Sequence, residues 1–187
     1  MLELSLPIEA GDEKLSGLAG DKEALVKLGH RGTHLDRLLK SVIPLNYFKS
    51  RGLCFDVRRT EVPGLVAVSD IDLDLIRPGD FVMFRSGVME KFAYGSREYM
   101  NAPFELDWKL IEALLELKIH FIGLDARGIR LNEEHREADT RCEKAGVFVI
   151  ENLCNLEKLP DGPFEVYAAW FDLGGSGLPV RVVAEAD

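Results

Sequence analysis

The sequence predicts a mixed α/β domain in which strands outnumber helices. Three observations carry that expectation. Nine short runs rich in β-branched and aromatic residues recur along the chain, most of them ending at Gly, Pro or Asp, as strands bounded by turns do. Only two stretches of any length have helical periodicity. The 187 residues, 47% of them hydrophobic and 29% charged, suffice for one well-buried core and are short for two independent domains. Residues 1–187 are therefore expected to form a single domain.

In chain order, the strand-like runs are Glu3–Ile8, Leu25–Gly29, Leu53–Val57, Leu65–Ser69, Phe81–Arg85, His120–Leu124, Val147–Ile150, Val166–Phe171 and Val180–Ala184. A short helical turn is expected to start near His34 and run through Leu38 and Leu39. The first true helix is Asp107–Leu117, where Trp108, Ile111, Leu114 and Leu115 share one face. The second is Asn132–Ala145, which is more polar, stops at Gly146 and is expected to lie on the surface. The order helix, strand, helix, strand between Asp107 and Ile150 suits a right-handed crossover with parallel strands. Gly174-Gly175-Ser176-Gly177 looks only superficially like a phosphate loop. It lacks the Lys-Ser/Thr that follows in such loops and joins two strand-like runs, so a hairpin or wide turn is expected.

Charge and cysteine usage exclude several function classes. The 23 basic and 32 acidic residues give a net charge of −9, and no basic cluster offers a nucleic-acid surface. No run approaches the roughly 20 apolar residues needed to cross a bilayer. The amino-terminal Met1-Leu2-Glu3-Leu4-Ser5-Leu6-Pro7 alternates like a strand and has neither the basic start nor the apolar core of a signal peptide. Cys54, Cys142 and Cys154 are odd in number and form no C-x-x-C pair, which suits reduced thiols in a cytoplasmic protein.

The densest chemistry lies in His30-Arg31-Gly32-Thr33-His34-Leu35-Asp36, which holds two of the four histidines and a carboxylate within seven residues. Neutral imidazole nitrogen and carboxylate oxygen are the ligands that borderline-soft divalent ions take. In an extended segment His30, Gly32, His34 and Asp36 would share one face, because side chains alternate with period two. Gly32 would leave room between the imidazoles, and Thr33 would face the other way and hydrogen-bond to backbone. A partly exposed polar strand end is the simpler alternative, but two histidines and an aspartate at this spacing favour a metal site.

The same segment resembles the signature H-x-G-T-H-x-D-x-P-x-H of the cyclase-like metal-dependent hydrolases, a family that includes bacterial kynurenine formamidases and isatin hydrolases. Its first seven positions match. Further segments resemble that family in the right order: Leu4-Ser5-Leu6-Pro7-Ile8, Gly123-Leu124-Asp125, Gly146 through Glu151-Asn152-Leu153 with Asn155-Leu156, and Pro179–Ala184. The resemblance implies a swivelling β/β/α fold with a mixed sheet and few helices, assembled as a homodimer or homotetramer. It also implies a divalent metal site, zinc or manganese, with His30, His34, Asp36 and Glu151 as ligands.

The chain departs from the family pattern at several positions. Leu38 stands for its proline, and Lys40 for the final histidine that is the general acid/base in the formamidases. Lys40 is thus the positional candidate for proton transfer, or for holding a carboxylate on the substrate. Twelve residues before Glu151, where the family has a ligating histidine, this chain has Asp139. An aspartate there can ligate and would shift the site toward harder ions. His135 lies one helical turn earlier and is the possible substitute, although a place on a solvated helix face is favoured for it. Arg127-Gly128-Ile129-Arg130 replaces the family's usual serine and aspartate after the Gly-Ile-Asp strand end. A lysine ammonium beside the cluster would repel a second cation, so one ion is expected rather than two.

Three other candidates read first as structural: His120 inside an apolar run, Cys142 as a buried thiol, and the aromatic group Phe92, Tyr94, Tyr99 and Phe104 around Gly95 as a core flap. In a hydrolase of aromatic amides, Tyr94 and Phe104 would line the substrate pocket. The expected function is then hydrolysis of a small amide, lactam or lactone by a metal-activated water. The alternative is a catalytically degenerate relative that binds metal or ligand without turnover.

Overall fold

Four parallel or mixed strands with alternating apolar residues organise the molecule. The computed structural model describes residues 1–7, 29–60 and 64–185. The strands are β1 (Leu2–Glu3), β2 (His34–Asp36), β3 (Lys49–Asp56), β4 (Leu65–Val66), β5 (Phe81–Arg85), β6 (Glu105–Leu106), β7 (Phe121–Leu124), β8 (Phe148–Glu151), β9 (Phe164–Trp170) and β10 (Gly177–Glu185). The helices are α1 (Val88–Lys91), α2 (Arg97–Met100), α3 (Trp108–Glu116) and α4 (His135–Lys144), with short 3₁₀ turns between elements.

Strands β3, β5, β7 and β8 run parallel in that spatial order. Antiparallel pairings then carry the sheet from β8 to β2, from β2 to β10, from β10 to β9 and from β9 back to β3. The sheet therefore closes on itself as a barrel, which leaves few exposed edges. β1 extends it by pairing with the far end of β10, and β4 and β6 form a separate two-stranded patch.

Period-two alternation sorts the core in two. Leu35, Phe81, Met83, Phe121, Phe148, Ile150, Val166, Leu178, Val180 and Val182 pack together inside the ring. Their neighbours Val82, Phe84, Ile122, Leu124 and Val149 face outward and pack under the helices with Leu110, Ile111, Leu114, Ala138 and Cys142. Asp107 sits extended at the start of α3, and the buried stripe Leu110, Ile111 and Leu114 holds that helix to the barrel. Each such side chain, when fully buried, contributes about 1.5–3 kcal/mol.

Most of the expected elements are present with shifted ends. The region Asn132–Ala145 divides into a 3₁₀ turn, Asn132–Glu134, and α4. The hairpin between β9 and β10 is found at 171–176. Two expectations are corrected. No helical turn begins at His34: residues 34–36 form β2, and the chain turns at Leu38–Leu39. Helix α4 is not a surface helix throughout, since it buries Ala138, Asp139, Cys142 and Glu143. Of the run Leu25–Gly29, residues 25–28 lie outside the described residues, as does Ile8 of the first run.

Candidate metal centre

The register of two short strands assembles the first part of the site. His34 and Glu151 are partners across β2 and β8, as are Leu35 and Ile150. Leu35 and Ile150 fill the barrel interior, so by alternation His34, Asp36 and Glu151 emerge on the outer face. His30 reaches the same place by a bend rather than by strand alternation. Gly32 has φ +61°, a left-handed conformation that favours glycine, and this bend brings His30 Nδ1 to 3.2 Å from His34 Nε2. The glycine thus serves backbone conformation, where the sequence suggested empty space.

Helix α4 supplies the opposite wall. His135 Nε2 lies 3.2 Å from Asp139 Oδ2 and 3.7 Å from Glu151 Oε1. His34 Nε2 lies 3.5 Å from Glu151 Oε2, and His30 Nδ1 lies 3.0 Å from Asp36 Oδ1. Asp36, Asp139 and Glu151 are each at most 4% exposed. Both oxygens of Asp36, both of Asp139 and Oε1 of Glu151 are buried without a hydrogen-bond partner. Native structures rarely leave so many buried acceptors unanswered, and buried charges demand a cation or a metal.

The imidazoles are held for ligation. His34 Nδ1 lies 2.9 Å from Gly32 O and His135 Nδ1 lies 3.0 Å from Arg130 O. A carbonyl only accepts, so each Nδ1 carries the proton and each Nε2 lone pair faces the carboxylates. His30 turns Nε2 to Ser176 Oγ at 2.8 Å and Nδ1 to the cluster. Around a tetrahedral ion with bonds of 2.0–2.1 Å, neighbouring ligand atoms stand roughly 3.3 Å apart, and the separations above bracket that value. Two trios bring one ligand atom from each residue to within 4.8 Å of the others, His30–His34–Asp36 and Asp36–His135–Glu151, with Asp36 common to both. The donor chemistry and spacing therefore fit a divalent metal ion.

Electrostatics agree with the geometry. Burial, with the charges of Asp36 and Asp139, pushes the Glu151 carboxyl well above the usual carboxylate range. Burial, followed by the charges of Asp36 and Glu143, does the same to Asp139. Burial lowers the His34 pKa and keeps that ring neutral, the form in which it ligates.

The expected site residues separate clearly. His30, His34, Asp36 and Glu151 converge, and Asp139 stands beside His135, outside both trios. His135, assigned from sequence to a solvated helix face, belongs to the cluster; this is a correction. Its side chain is 34% exposed, against 3–6% for its acidic neighbours, and Gly128 makes room for it. A Cβ on Gly128 would meet His135 Nδ1 at 2.5 Å, and its φ of +153° also favours glycine. Lys40 is exposed. The backbone N–H groups of Leu39 and Ser41 both donate to the buried Glu143 carboxylate, at 2.7 and 2.8 Å, which fixes this turn with Lys40 on its outer side. The Lys40 charge acts on Asp172.

Of the two aromatic candidates, Tyr94 adjoins the site, accepting a hydrogen bond from Gly32 N at 2.9 Å. Phe104 is 4% exposed and packs in the outer core; it opens on a separate cavity of about 270 Å³ beside Val57 and Phe92. The core-flap reading holds for Phe104. His120 is structural, stacked on Tyr47 and bonded to Ser50 Oγ at 2.9 Å. Cys142 is a buried free thiol.

Asn152 is a residue that sequence reasoning passed over. With φ +62° it strains the backbone just after Glu151. Its amide Nδ2 donates to Gly32 O, its Oδ1 accepts from Tyr99 Oη, and its N donates to Ala126 O. Thr33 Oγ1 donates to Asn152 O at 2.7 Å, as expected of a residue that holds the turn. The signal was there in the sequence, an asparagine directly after Glu151, since asparagine tolerates positive φ.

Residues 2–129 match the family model described as "Putative cyclase". No curated protein matches the chain in sequence. A solved structure titled a potential metal-dependent hydrolase with cyclase activity is 26% identical, with a TM-score of 0.71, covering 97% of this chain and 95% of that one. A predicted metal-dependent hydrolase from Bacillus stearothermophilus is 27% identical, with a TM-score of 0.64, covering 83% and 76%. Isatin hydrolase A from Labrenzia aggregata shares the fold at 20% identity, with a TM-score of 0.71, covering 83% and 72%.

Proposed function

The chain belongs to the cyclase family, and from its donor cluster we propose that it is a hydrolase that uses a bound divalent metal to cleave a small amide, lactam or lactone. One observation carries the reading: five buried carboxylate oxygens without hydrogen bonds face three imidazoles, two of which have their proton fixed away from the cluster. A bound divalent ion supplies carbonyl polarisation and an acidified water at neutral pH. The residues do the rest. His30, His34, Asp36, His135 and Glu151 hold the centre, while Asn152 and Tyr94 fix the Gly32 bend. Water adds to the carbonyl carbon, the C–N or C–O bond breaks, and the departing atom takes a proton. Asp139 is the proton-exchange group of this reading: its carboxyl stands beside His135, the cluster's most open side chain, and outside both trios, so its oxygens stay available to a proton. It takes the role expected of Lys40.

Imidazoles favour zinc and the three carboxylates favour manganese, so these two ions are the proposed occupants. The case for a single ion rested on Lys40 beside the cluster, and Lys40 is not beside it. Two trios sharing Asp36 would offer holding residues for two ions. The proposed assembly is a homodimer or homotetramer. Val42 and Leu45, 88% and 86% exposed, support it, as do Phe171 and Leu173 on the β9–β10 loop, tied to the same region by the Arg37–Asp172 pair. The proposed location is cytoplasmic, supported by three unpaired cysteines; no helix among the described residues is long and apolar enough to cross a membrane.

Metal analysis of purified protein, followed by a panel of N-formyl aromatic amines and lactones, tests the reading. Zinc or manganese at one to two equivalents, with turnover lost on chelation and in His34→Ala, is expected. A metal-loaded protein that hydrolyses nothing, and whose ligand binding survives His34→Ala, would instead make it a binding relative without turnover.

A further inference from the structure

We propose that the site selects substrates bearing a carboxylate, which Arg31 and Arg127 hold beside the metal cluster. This rests on the metal-hydrolase reading above and specifies its substrate class.

Both arginines adjoin the cluster by position in the fold. Arg31 lies between His30 and Gly32, on the bend that Tyr94 and Asn152 fasten. Arg127 follows Ala126, whose carbonyl accepts from the Asn152 amide next to Glu151, and precedes Gly128, which packs on the His135 ring. The Arg127 charge reaches both Glu151 and Tyr99, and the Arg31 charge reaches Tyr94. Tyr94 packs against the buried Tyr99 with ring centroids 5.4 Å apart, so both arginines act on one aromatic pair.

Both guanidinium groups lack a partner. Neither takes part in an ion pair or hydrogen bond through its side chain among the described residues, and the Nε of each is buried and unsatisfied. Elsewhere in the molecule arginines at comparable depth are paired: Arg37 with Asp172, Arg51 with Asp80 and Arg130 with Glu134. A buried N–H that finds no acceptor in the protein is suited to an acceptor that arrives with a ligand, and the guanidinium fork matches a carboxylate.

Charge accounting leaves room for an anion. Asp36, Asp139, Glu151 and the buried Glu143 against Arg31 and Arg127 leave two negative charges. One divalent ion brings the pocket to neutrality, and a second makes it cationic, so the doubly loaded pocket accommodates a monoanion. An aromatic ring on that anion would meet Tyr94, which lies over the buried Tyr99.

The test uses full-length Zn²⁺-loaded protein with benzoate and benzamide, which share a ring and differ in charge. Titration calorimetry should show benzoate binding at least ten-fold more tightly. Arg127→Gln and Arg31→Gln should each weaken benzoate about ten-fold and leave benzamide within two-fold, with zinc content unchanged. Arg127→Lys should restore part of the loss. Benzoate affinity that is unchanged in both glutamine variants would place the carboxylate on zinc itself and overturn the proposal. So would equal binding of the two probes by zinc-loaded protein, leaving the metal reading intact. A protein that takes up no zinc overturns both.

Discussion

Replacing His135 with alanine gives the sharpest test of the centre, because this donor is absent from the sequence signature and present in the fold. The ring contributes Nε2 at 3.2 Å from Asp139 and 3.7 Å from Glu151, with Nδ1 tied to Arg130 O. Losing a residue that merely orients a ligand costs a metal site 10–100-fold in affinity. Losing the donor itself should cost at least the upper figure, so His135→Ala should weaken zinc binding by about 100-fold, or about 2.8 kcal/mol at 1.4 kcal/mol per decade. The metal-free fold should be affected little, since a ring one-third exposed gives up only part of its burial. Competition of zinc against a calibrated chelator measures the affinity, and urea unfolding of the metal-free protein measures the stability. If His135→Ala retains zinc with wild-type affinity and stoichiometry, the second trio is not a metal site. If instead it lowers metal-free stability by several kcal/mol, His135 is a packing residue.

Gly128→Ala should weaken zinc binding about ten-fold without deleting a donor, because the new methyl would stand 2.5 Å from His135 Nδ1 and 2.8 Å from Arg130 O; the same chelator competition reads it. Lys40→Ala should leave zinc affinity and any turnover within two-fold, since Lys40 is exposed and its turn is held by backbone. Glu143→Ala removes two charge-assisted hydrogen bonds to that turn and should destabilise the protein by about 2 kcal/mol, a fall in Tm of about 4–8 °C by calorimetry.

Much of this was legible in the chain. Alternation and turn residues located Phe81–Arg85 and brought most other strands to within a few residues of their ends. The motif His30–Asp36 and the later Glu151 announced a donor cluster whose members meet across β2 and β8. What stayed hidden depended on tertiary contacts. The helical turn expected from near His34 through Leu38 and Leu39 gives way to β2 at residues 34–36, because pairing with β8 and β10 on both edges decides the backbone there. Lys40 occupies a position at which the signature expects a catalytic side chain. A carboxylate 103 residues away, Glu143, binds the backbone on either side of it and decides the outcome.

Helix α4 shows why polarity alone misplaced His135. A helix with so few apolar residues is assigned to the surface because its buried stripe is assumed to be apolar. Here the inward stripe is His135, Asp139 and Glu143, four residues apart, with Ala138 and Cys142 beside them. Each polar member meets a different demand: His135 and Asp139 face the cluster, and Glu143 holds the turn that follows β2. The metal wall and the turn beyond Asp36 are thus carried by one rigid rod at successive helical turns. Binding a cation at the first position should therefore also order the third, so hydrogen exchange at the Leu39 and Ser41 amides should slow when zinc is added. That slowing should vanish in Glu143→Ala. Protection that rises equally with and without Glu143 would mean that the two ends of the helix act independently.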